Sequence, residues 1–441
     1  MAMKRPLDET HDRSLRSWVD SANREGSDFP IQNLPFGVFR PASGGDARIG
    51  VAVGDSVLDL RELAGAGWLD ASLVECCAAG TLNALMAAGP DAALALRRRL
   101  SRLLREGNGE ISDSDSLLHD RDDVEMLLPA TIGDYTDFYA SIHHATNVGS
   151  MFRPESPLLP NYKWIPVGYH GRASTVVVSG SEIRRPLGQT MSDGADAPVF
   201  GPTKMLDYEL EVGFFVGGGN PGARPIPIGT AERHVFGMCL VNDWSARDVQ
   251  KWEYQPLGPF LAKSFATSVS PWVITMEALA PFRVAAFARP DGDPQPLPHL
   301  FDKDDRRLGA VDLRLEAYIA SAQMREKGMA DHQLSGGDFR DMYWTIAQML
   351  SHHASNGCQL RPGDLLASGT VSGPEQDNRG CLLELTWRGS EPIVLPTGEE
   401  RKFLADGDEL ILRGSCERKG ATRIGFGECR GVVLPAFLVP G

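Results

Sequence analysis

The sequence predicts a mainly β protein with some α-helix, and three observations carry that expectation. Glycine and proline number 47 and 30 of 441 residues, well above a combined share of roughly 12%, as many turns between short strands require. Short apolar runs of strand length recur between those turn residues. Helical spacing, by contrast, is held best in only two segments.

Along the chain, Arg48 to Leu60 is the first strand-like run. Leu82 to Leu104 reads as a helix that ends in an arginine- and leucine-rich amphipathic stretch. Gly107 to Asp123 follows, with N-G-E-I-S-D-S-D-S and then D-R-D-D, polar, small and acidic as a linker or exposed loop would be. Beyond it, Ser174 to Val178, Leu210 to Val216, Cys239 to Asn242, Cys381 to Trp387 and Glu409 to Leu412 read as strands. Phe339 to Ser351 reads as the second helix, because Met342, Ile346, Met349 and Leu350 keep helical spacing. No repeat of fixed period is present, and the length accommodates two or three domains.

Composition excludes several classes of function. Acidic residues outnumber basic ones by 58 to 44, a formal charge of −14, which repels phosphate backbones and anionic membrane surfaces; nucleic acid and membrane are therefore not expected partners. No stretch approaches the roughly 18 apolar residues of a spanning helix, and the N-terminal M-A-M-K-R-P-L-D-E-T has no apolar core of a signal peptide. Seven scattered cysteines without a C-x-x-C pair read as reduced thiols, so the expected location is the cytoplasm.

Two motifs are set aside. Gly217, Gly219 and Gly222 spell G-x-G-x-x-G after an apolar run, but A-R-P-I-P-I follows where a dinucleotide site needs a helix N-terminus, so this is a loop. Ser264 in A-K-S-F-A lacks the flanking glycines of a nucleophile elbow.

Carboxylates are more informative. Glu209 and Glu211, two apart in L-D-Y-E-L-E-V-G-F-F-V, project from one face if the run is a strand. Such a pair either faces solvent or invites a hard divalent ion. Asp243, in V-N-D-W-S-A-R-D, follows the apolar run F-G-M-C-L-V, where a strand end would present it. Asp137 and His144 stand seven apart, which on a helix would put them on nearly one face. His352 and His353 fall at the C-terminal end of the second helix, where the dipole favours them as capping residues, and His170 in G-Y-H-G-R reads equally as a turn or a pocket residue.

These residues sit in long ordered motifs: D-Y-T-D-F-Y, H-A-T-N-V-G, L-P-N-Y-K-W-I-P-V-G-Y-H-G-R-A-S, L-D-Y-E-L-E, N-D-W-S-A-R-D-V-Q-K-W-E-Y-Q-P-L-G-P-F-L-A-K-S-F, R-P-G-D-L-L-A-S-G-T-V-S-G and F-G-E-C. With D-F-P-I-Q-N-L-P-F-G-V-F near the N-terminus, nearly the whole chain resembles the fumarylacetoacetate hydrolase family. The resemblance implies a small N-terminal SH3-like barrel over residues 21–124, after an extension 1–20 whose polar composition allows disorder. It implies a larger C-terminal mixed β-sandwich roll over 125–441 and a homodimer. The implied reaction is hydrolysis of the carbon–carbon bond of 4-fumarylacetoacetate to fumarate and acetoacetate, in tyrosine and phenylalanine breakdown.

The same resemblance implies roles. A Ca²⁺ or Mg²⁺ ion would be held by Asp137, Glu209, Glu211 and Asp243, all hard oxygen donors. A second, structural ion would lie around Asp243, Thr267 and Lys263, the lysine through its backbone oxygen. His144 would be the general base with Glu384 orienting it, as a carboxylate fixes the tautomer of an imidazole and stabilises its protonated form. Arg247, Gln250 and Lys263 would donate to the oxyanion. Tyr139, Arg153, Tyr169, Gln250, Tyr254 and Thr370 would hold substrate, Arg153 by pairing with a carboxylate. Two departures stand out: Ala262 and Ala266 replace glycines of the family pattern, with strain expected at Ala266, and His143 precedes the base. Related acylpyruvate hydrolases or decarboxylases share the carboxylate cage and form the alternative; a catalytically silent metal-binding scaffold is the third possibility.

Overall fold

The computed structural model describes residues 6–111 and 117–438. A central mixed sheet is ordered Gly168–His170, Tyr135–Phe138, Leu365–Ala367, Leu210–Val216, Val235–Asp243, Thr267–Val269, Val176–Val178, with Ile274–Thr275 also pairing on Val235–Asp243. Two of its pairings are parallel, Leu365–Ala367 with Tyr135–Phe138 and Thr267–Val269 with Val176–Val178.

Both faces of the sheet's middle are covered, so Leu210–Val216 and Val235–Asp243 are buried along their whole length rather than alternating buried with exposed. Along Val235–Asp243, Met238 and Leu240 enter one core while Phe236, Cys239 and Val241 enter the other. The period of two sorts Met238 to Val241, and the register shift opposite Phe215 and Val216 breaks it, so that Phe236 joins Cys239 and Val241. The first core is shared with a five-stranded sheet ordered His332–Asp338, Arg314–Ala320, Glu409–Cys416, Ile424–Leu434, Glu182–Arg184, which supplies Leu315, Leu412 and Phe426. The second is shared with a small N-terminal half-barrel of five antiparallel strands, ordered Leu118–Asp120, Ser56–Asp59, Arg48–Val53, Phe36–Pro41, Val124–Leu127. Its helices add Leu85, Leu96 and Leu100.

Several elements differ from the sequence expectation. The run Arg48 to Leu60 is two strands, because Gly54 at φ +57° turns the chain between them. Leu82 to Leu104 is two helices, Asn83–Ala88 and Pro90–Leu103, interrupted at Gly89 (φ 85°) with proline opening the second. Phe339 to Ser351 is a 3₁₀ turn Phe339–Asp341 and then an α-helix Ile346–Ala354, started by a Thr345 and Gln348 capping box. Cys381 to Trp387 is no strand but a one-turn helix, Leu382–Leu385. The segment at 112–116, the acidic part of the expected boundary, lies outside the described residues.

Residues 6–20, expected as an extension free to be disordered, are fastened to the half-barrel helices. Thr10 is fully buried and its hydroxyl accepts from Arg97 Nε at 3.0 Å. The remaining Arg97 nitrogens donate to the carbonyls of Asn33 (2.6 Å) and Gln32 (2.5 Å). Removing this buried side chain strands three acceptors at roughly 1–3 kcal/mol each. Arg97→Ala is expected to lower the free energy of urea unfolding by about 3 kcal/mol or more; an unchanged unfolding midpoint would contradict it.

Candidate active site

Alternation along the central strands also places the acidic side chains. Asp137 shares parity with Tyr135, Glu211 with Phe215, and Asp243 with Val241, all residues of the core under the half-barrel. In register, Asp137 lies opposite Ala367, Ala367 opposite Gly213, and Glu211 opposite Val241. Three carboxylates from three strands therefore meet at one end of one face, their ligand atoms within 4.8 Å of one another and all buried. Glu209, just before its strand, is buried too. The solvent-facing alternative for the Glu209 and Glu211 pair is thereby removed.

Three cations answer this charge. Lys263 Nζ lies 2.6 Å from Asp243 Oδ2 and 2.8 Å from Glu209 Oε2. Arg247 reaches Glu209 Oε1 at 2.5 Å through Nη1 and Asp207 Oδ2 at 2.8 Å through Nε. Arg172 Nη2 bridges Asp137 Oδ2 (3.1 Å) and Asp243 Oδ2 (3.0 Å), and Nη1 donates to Tyr169 Oη at 3.1 Å. Thr267 donates to Asp243 Oδ1 at 2.8 Å. Burial pushes the Glu209 carboxyl up, but Arg247 and Lys263 more than reverse this and hold it well below the usual range. Burial and the Asp243 charge raise Asp137 to about 7, and burial with Asp137 and Asp243 raises Glu211 well above its ordinary value.

The cluster fits a divalent cation. Both Glu211 oxygens and Asp137 Oδ1 are buried without a hydrogen-bond partner, an arrangement costly unless something positive meets them. Five carboxylates (Asp137, Asp207, Glu209, Glu211, Asp243) against Arg172, Arg247 and Lys263 leave two formal negative charges, and the donors are all hard oxygens.

His144 lies beside this cluster, close enough to Glu209 to help lower its pKa. It does not share a helix with Asp137, as their spacing suggested: Asp137 is on a strand and His144 is on the helix Ile142–Phe152, whose N-cap Ser141 accepts from the His144 amide. Its Nδ1 is 2.6 Å from Glu384 Oε2. Glu384 is saturated: Oε1 accepts from Asn147 at 2.8 Å, and Oε2 also accepts from Ser372 (2.9 Å) and Cys381 (3.1 Å). Burial alone would raise its pKa, but the His144 charge and these donors hold it at about 2. The Tyr139 ring meets the His144 ring edge-on at 5.2 Å.

The other expected residues divide. Gln250 Oε1 accepts from Arg247 Nη1 at 3.2 Å, which leaves Arg247 Nη2 buried and unpartnered. Tyr169 joins through Arg172. Arg153, at the C-cap of the His144 helix, donates to Pro157 O at 3.2 Å; Thr370 is buried with its hydroxyl unpartnered; Tyr254 follows the helix Arg247–Glu253 and is half-buried. Among the described residues no hydrogen bond ties these three side chains to the cluster. Lys263 meets the carboxylates with its ammonium, so its part in the acidic cluster is that of a counter-charge. Ala266 is outside the left-handed region, so the strain expected from its replacing glycine is absent. His353 Nε2 is 2.8 Å from Thr136 Oγ1 at the end of its helix, and His143 packs its ring 6.2 Å from Phe287. Arg172 and Asp207 were not singled out from sequence; the signal available for Arg172 was its place after Gly171 in a tight turn, where it adopts φ 61°.

Comparison with known proteins agrees with the motifs. Residues 134–434 match the family described as fumarylacetoacetate hydrolase C-terminal, and residues 32–129 match fumarylacetoacetase N-terminal. The chain is 52% identical to the fumarylacetoacetase of Caenorhabditis elegans over 422 residues, 93% of this chain and 98% of that one. It is 51% identical to that of Homo sapiens over 422 residues, covering 94% and 98%, and 46% identical to that of Arabidopsis thaliana over 431, covering 96% and 99%. A solved fumarylacetoacetate hydrolase from Exiguobacterium antarcticum shares the fold, with TM-score 0.50 at 18% identity, covering 91% of this chain and 99% of that one.

Two outcomes follow from this geometry. Glu211→Gln, which removes the charge behind two orphaned oxygens, is expected to weaken divalent-cation binding at least about tenfold by calorimetry; unchanged affinity would place a cation elsewhere. Because the Glu384 pKa is depressed in the folded protein, its stabilisation is present above pH about 4.5 and lost as pH falls toward 2. The stability gap between wild type and Glu384→Gln, read by urea unfolding, should therefore be widest near neutrality, of order 3 kcal/mol, and close through that window.

Proposed function

The chain belongs to the fumarylacetoacetate hydrolase family and is a hydrolase, and from that premise we propose that it hydrolyses 4-fumarylacetoacetate to fumarate and acetoacetate. The observation that carries this reading is the meeting, in one buried site, of a histidine–carboxylate dyad, an acidic cluster with orphaned oxygens and an arginine with one free nitrogen.

His144 Nδ1 is held by Glu384, which leaves Nε2 to take a proton from water as it adds to the ketone carbonyl of the fumaroyl group. Glu384 stays anionic and stabilises the imidazolium. The oxyanion that forms is met by Arg247 Nη2, with Gln250 and Lys263 as further donors. When the carbon–carbon bond breaks, the electron pair stays on the acetoacetate carbon and the proton held by His144 returns there. Fumarate leaves as the acid formed from the attacked carbonyl. Asp137, Glu209, Glu211 and Asp243 would hold a Ca²⁺ or Mg²⁺ ion, with the second ion at Asp243, Thr267 and the backbone oxygen of Lys263. Such a cation supplies Lewis-acid polarisation of the diketone and stabilises the departing enolate. Tyr139, Tyr169, Tyr254 and Thr370 line the substrate, and Arg153 pairs with a terminal carboxylate.

Family membership also supports a homodimer, a cytoplasmic location, and a division into an extension 1–20, an N-terminal unit 21–124 and a catalytic unit 125–441. Among the described residues no helix is long and apolar enough to cross a membrane.

The deciding experiment follows the diketone absorbance of fumarylacetoacetate with purified protein, before and after EDTA and after Ca²⁺ or Mg²⁺ is restored. Chelator-sensitive loss with fumarate and acetoacetate formed is expected. Turnover of acetylpyruvate instead would move the assignment to an acylpyruvate hydrolase or decarboxylase. His144→Ala should cut kcat by about 10⁴-fold or more with metal content intact, whereas Asp137→Ala should lower both; metal loss in the histidine variant would contradict the roles.

A further inference from the structure

Asp207 is completely buried and touches both arms of the site. Leu206–Asp207 pairs with Ser245–Ala246, Asp207 opposite Ser245, which sets its carboxylate beside Arg247, the first residue of the next helix. Oδ2 accepts from Arg247 Nε at 2.8 Å and from the Leu383 amide at 3.0 Å. Oδ1 accepts from the Leu382 amide at 2.8 Å and from the Tyr208 amide at 2.9 Å. The helical turn that begins at Leu382 carries Glu384, which holds the His144 imidazole. One carboxylate thus links the arginine on the oxyanion side to the turn that orients the base, across 175 residues of sequence.

We propose that Asp207 is a positioning residue that locks Arg247 and the Glu384–His144 dyad into one geometry. The inference rests on the function proposed above and deepens it. Arg247 has two fixed points, Nε on Asp207 and Nη1 on Glu209. Two anchors on a planar guanidinium leave a single direction for Nη2, the donor without a partner. Without the Nε anchor the plane can pivot about Nη1, and a misplacement of about 1 Å in such a donor costs on the order of 10²-fold in rate.

A simple helix-start role for Asp207 makes a different prediction. Asparagine is about as good a cap as aspartate and keeps one accepting oxygen for the first amides of a helix, so a cap alone would lose one amide bond at most in Asp207→Asn. It carries no charge, however, and one of its two groups is a donor, so it cannot serve Arg247 Nε and the Leu382 and Leu383 amides together.

The test compares Asp207→Asn, Arg247→Gln and the double variant. Asp207→Asn should lose about 100-fold in kcat with KM changed less than about threefold, and the double variant should lose at least about tenfold less than the product of the two single losses. Wild-type kcat in Asp207→Asn, or losses that multiply, would overturn the proposal. A second readout needs no substrate. In ¹⁵N-arginine-labelled wild-type protein the Arg247 Nε–H should exchange with water at least about 100-fold more slowly than a free guanidinium, and that protection should vanish in Asp207→Asn. Fast exchange in the wild type overturns the proposal even if the variant does not fold. Slow exchange in a protein inactive on fumarylacetoacetate would instead retire the substrate assignment and leave the link standing.

Discussion

Ionised carboxylates packed at one end of an apolar sheet repel one another and lose their water, at an effective cost of several kcal/mol each. Asp137, Glu209, Glu211 and Asp243 are all at most 6% exposed, so the surrounding fold is committed to bringing compensating charge to them. It comes from three unrelated segments: Arg172 from a left-handed turn, Arg247 from the first residue of a helix, and Lys263 from the loop before Thr267–Val269. The turn at Arg172 pairs a non-glycine residue at φ 61° with Gly171 at φ 112°, a conformation that L side chains resist by roughly 1 kcal/mol or more. Two carboxylates and two aromatic rings hold the guanidinium there and offset that cost.

The position of the cluster is a consequence of layering. A strand buried on both faces has no solvent side, so every residue belongs to one core or the other. The face carrying Asp137, Glu211 and Asp243 is the one the N-terminal half-barrel covers farther along, where Phe36, Val38 and Leu58 meet Phe236, Cys239 and Val241. Among the described residues, the half-barrel contributes no side chain to the dyad or to the acidic cluster. Its contribution is exclusion of water from the neighbouring stretch of sheet, which raises the strength of every charge interaction at the strand ends.

What the sequence made legible was local. Glu209 and Glu211 at a spacing of two, and Asp243 at the end of an apolar run, project together because strand alternation acts over a few residues. Spacing failed where the element type was misread. Asp137 and His144 are seven apart but lie on a strand and a helix separated by the Ser141 cap, and Cys381 to Trp387 looks strand-like until Asp207 accepts the Leu382 and Leu383 amides and closes a helical turn. Arg172 and Asp207 escaped notice for a related reason. Their partners are distant in sequence, 71 residues for Arg172 with Asp243 and 175 for Asp207 with Leu382, and such pairings leave no periodic trace. The long motifs carried the dyad of His144 and Glu384 only through family resemblance; no spacing rule connects residues 240 apart.

Among the described residues, two groups of side chains are close enough to grip a cation, Asp137 with Glu211 and Asp243, and His144 with Cys381 and Glu384. Proximity alone does not choose between them; the occupancy of their oxygens does. Glu384 already accepts from Asn147 on one oxygen and from His144, Ser372 and Cys381 on the other, so a metal there would have to displace four donors. Both Glu211 oxygens and Asp137 Oδ1 have none to displace. Burial drives the Cys381 thiol pKa well up, with the Glu384 charge adding to it, which keeps the sulfur protonated and a poor ligand. The same donors that bar a metal from Glu384 keep it charged beside the imidazole, whereas the acidic cluster, two formal charges short of neutrality, is built for a divalent partner. The His144–Glu384 pair and the acidic cluster thus differ by which carboxylates the fold satisfies and which it leaves open.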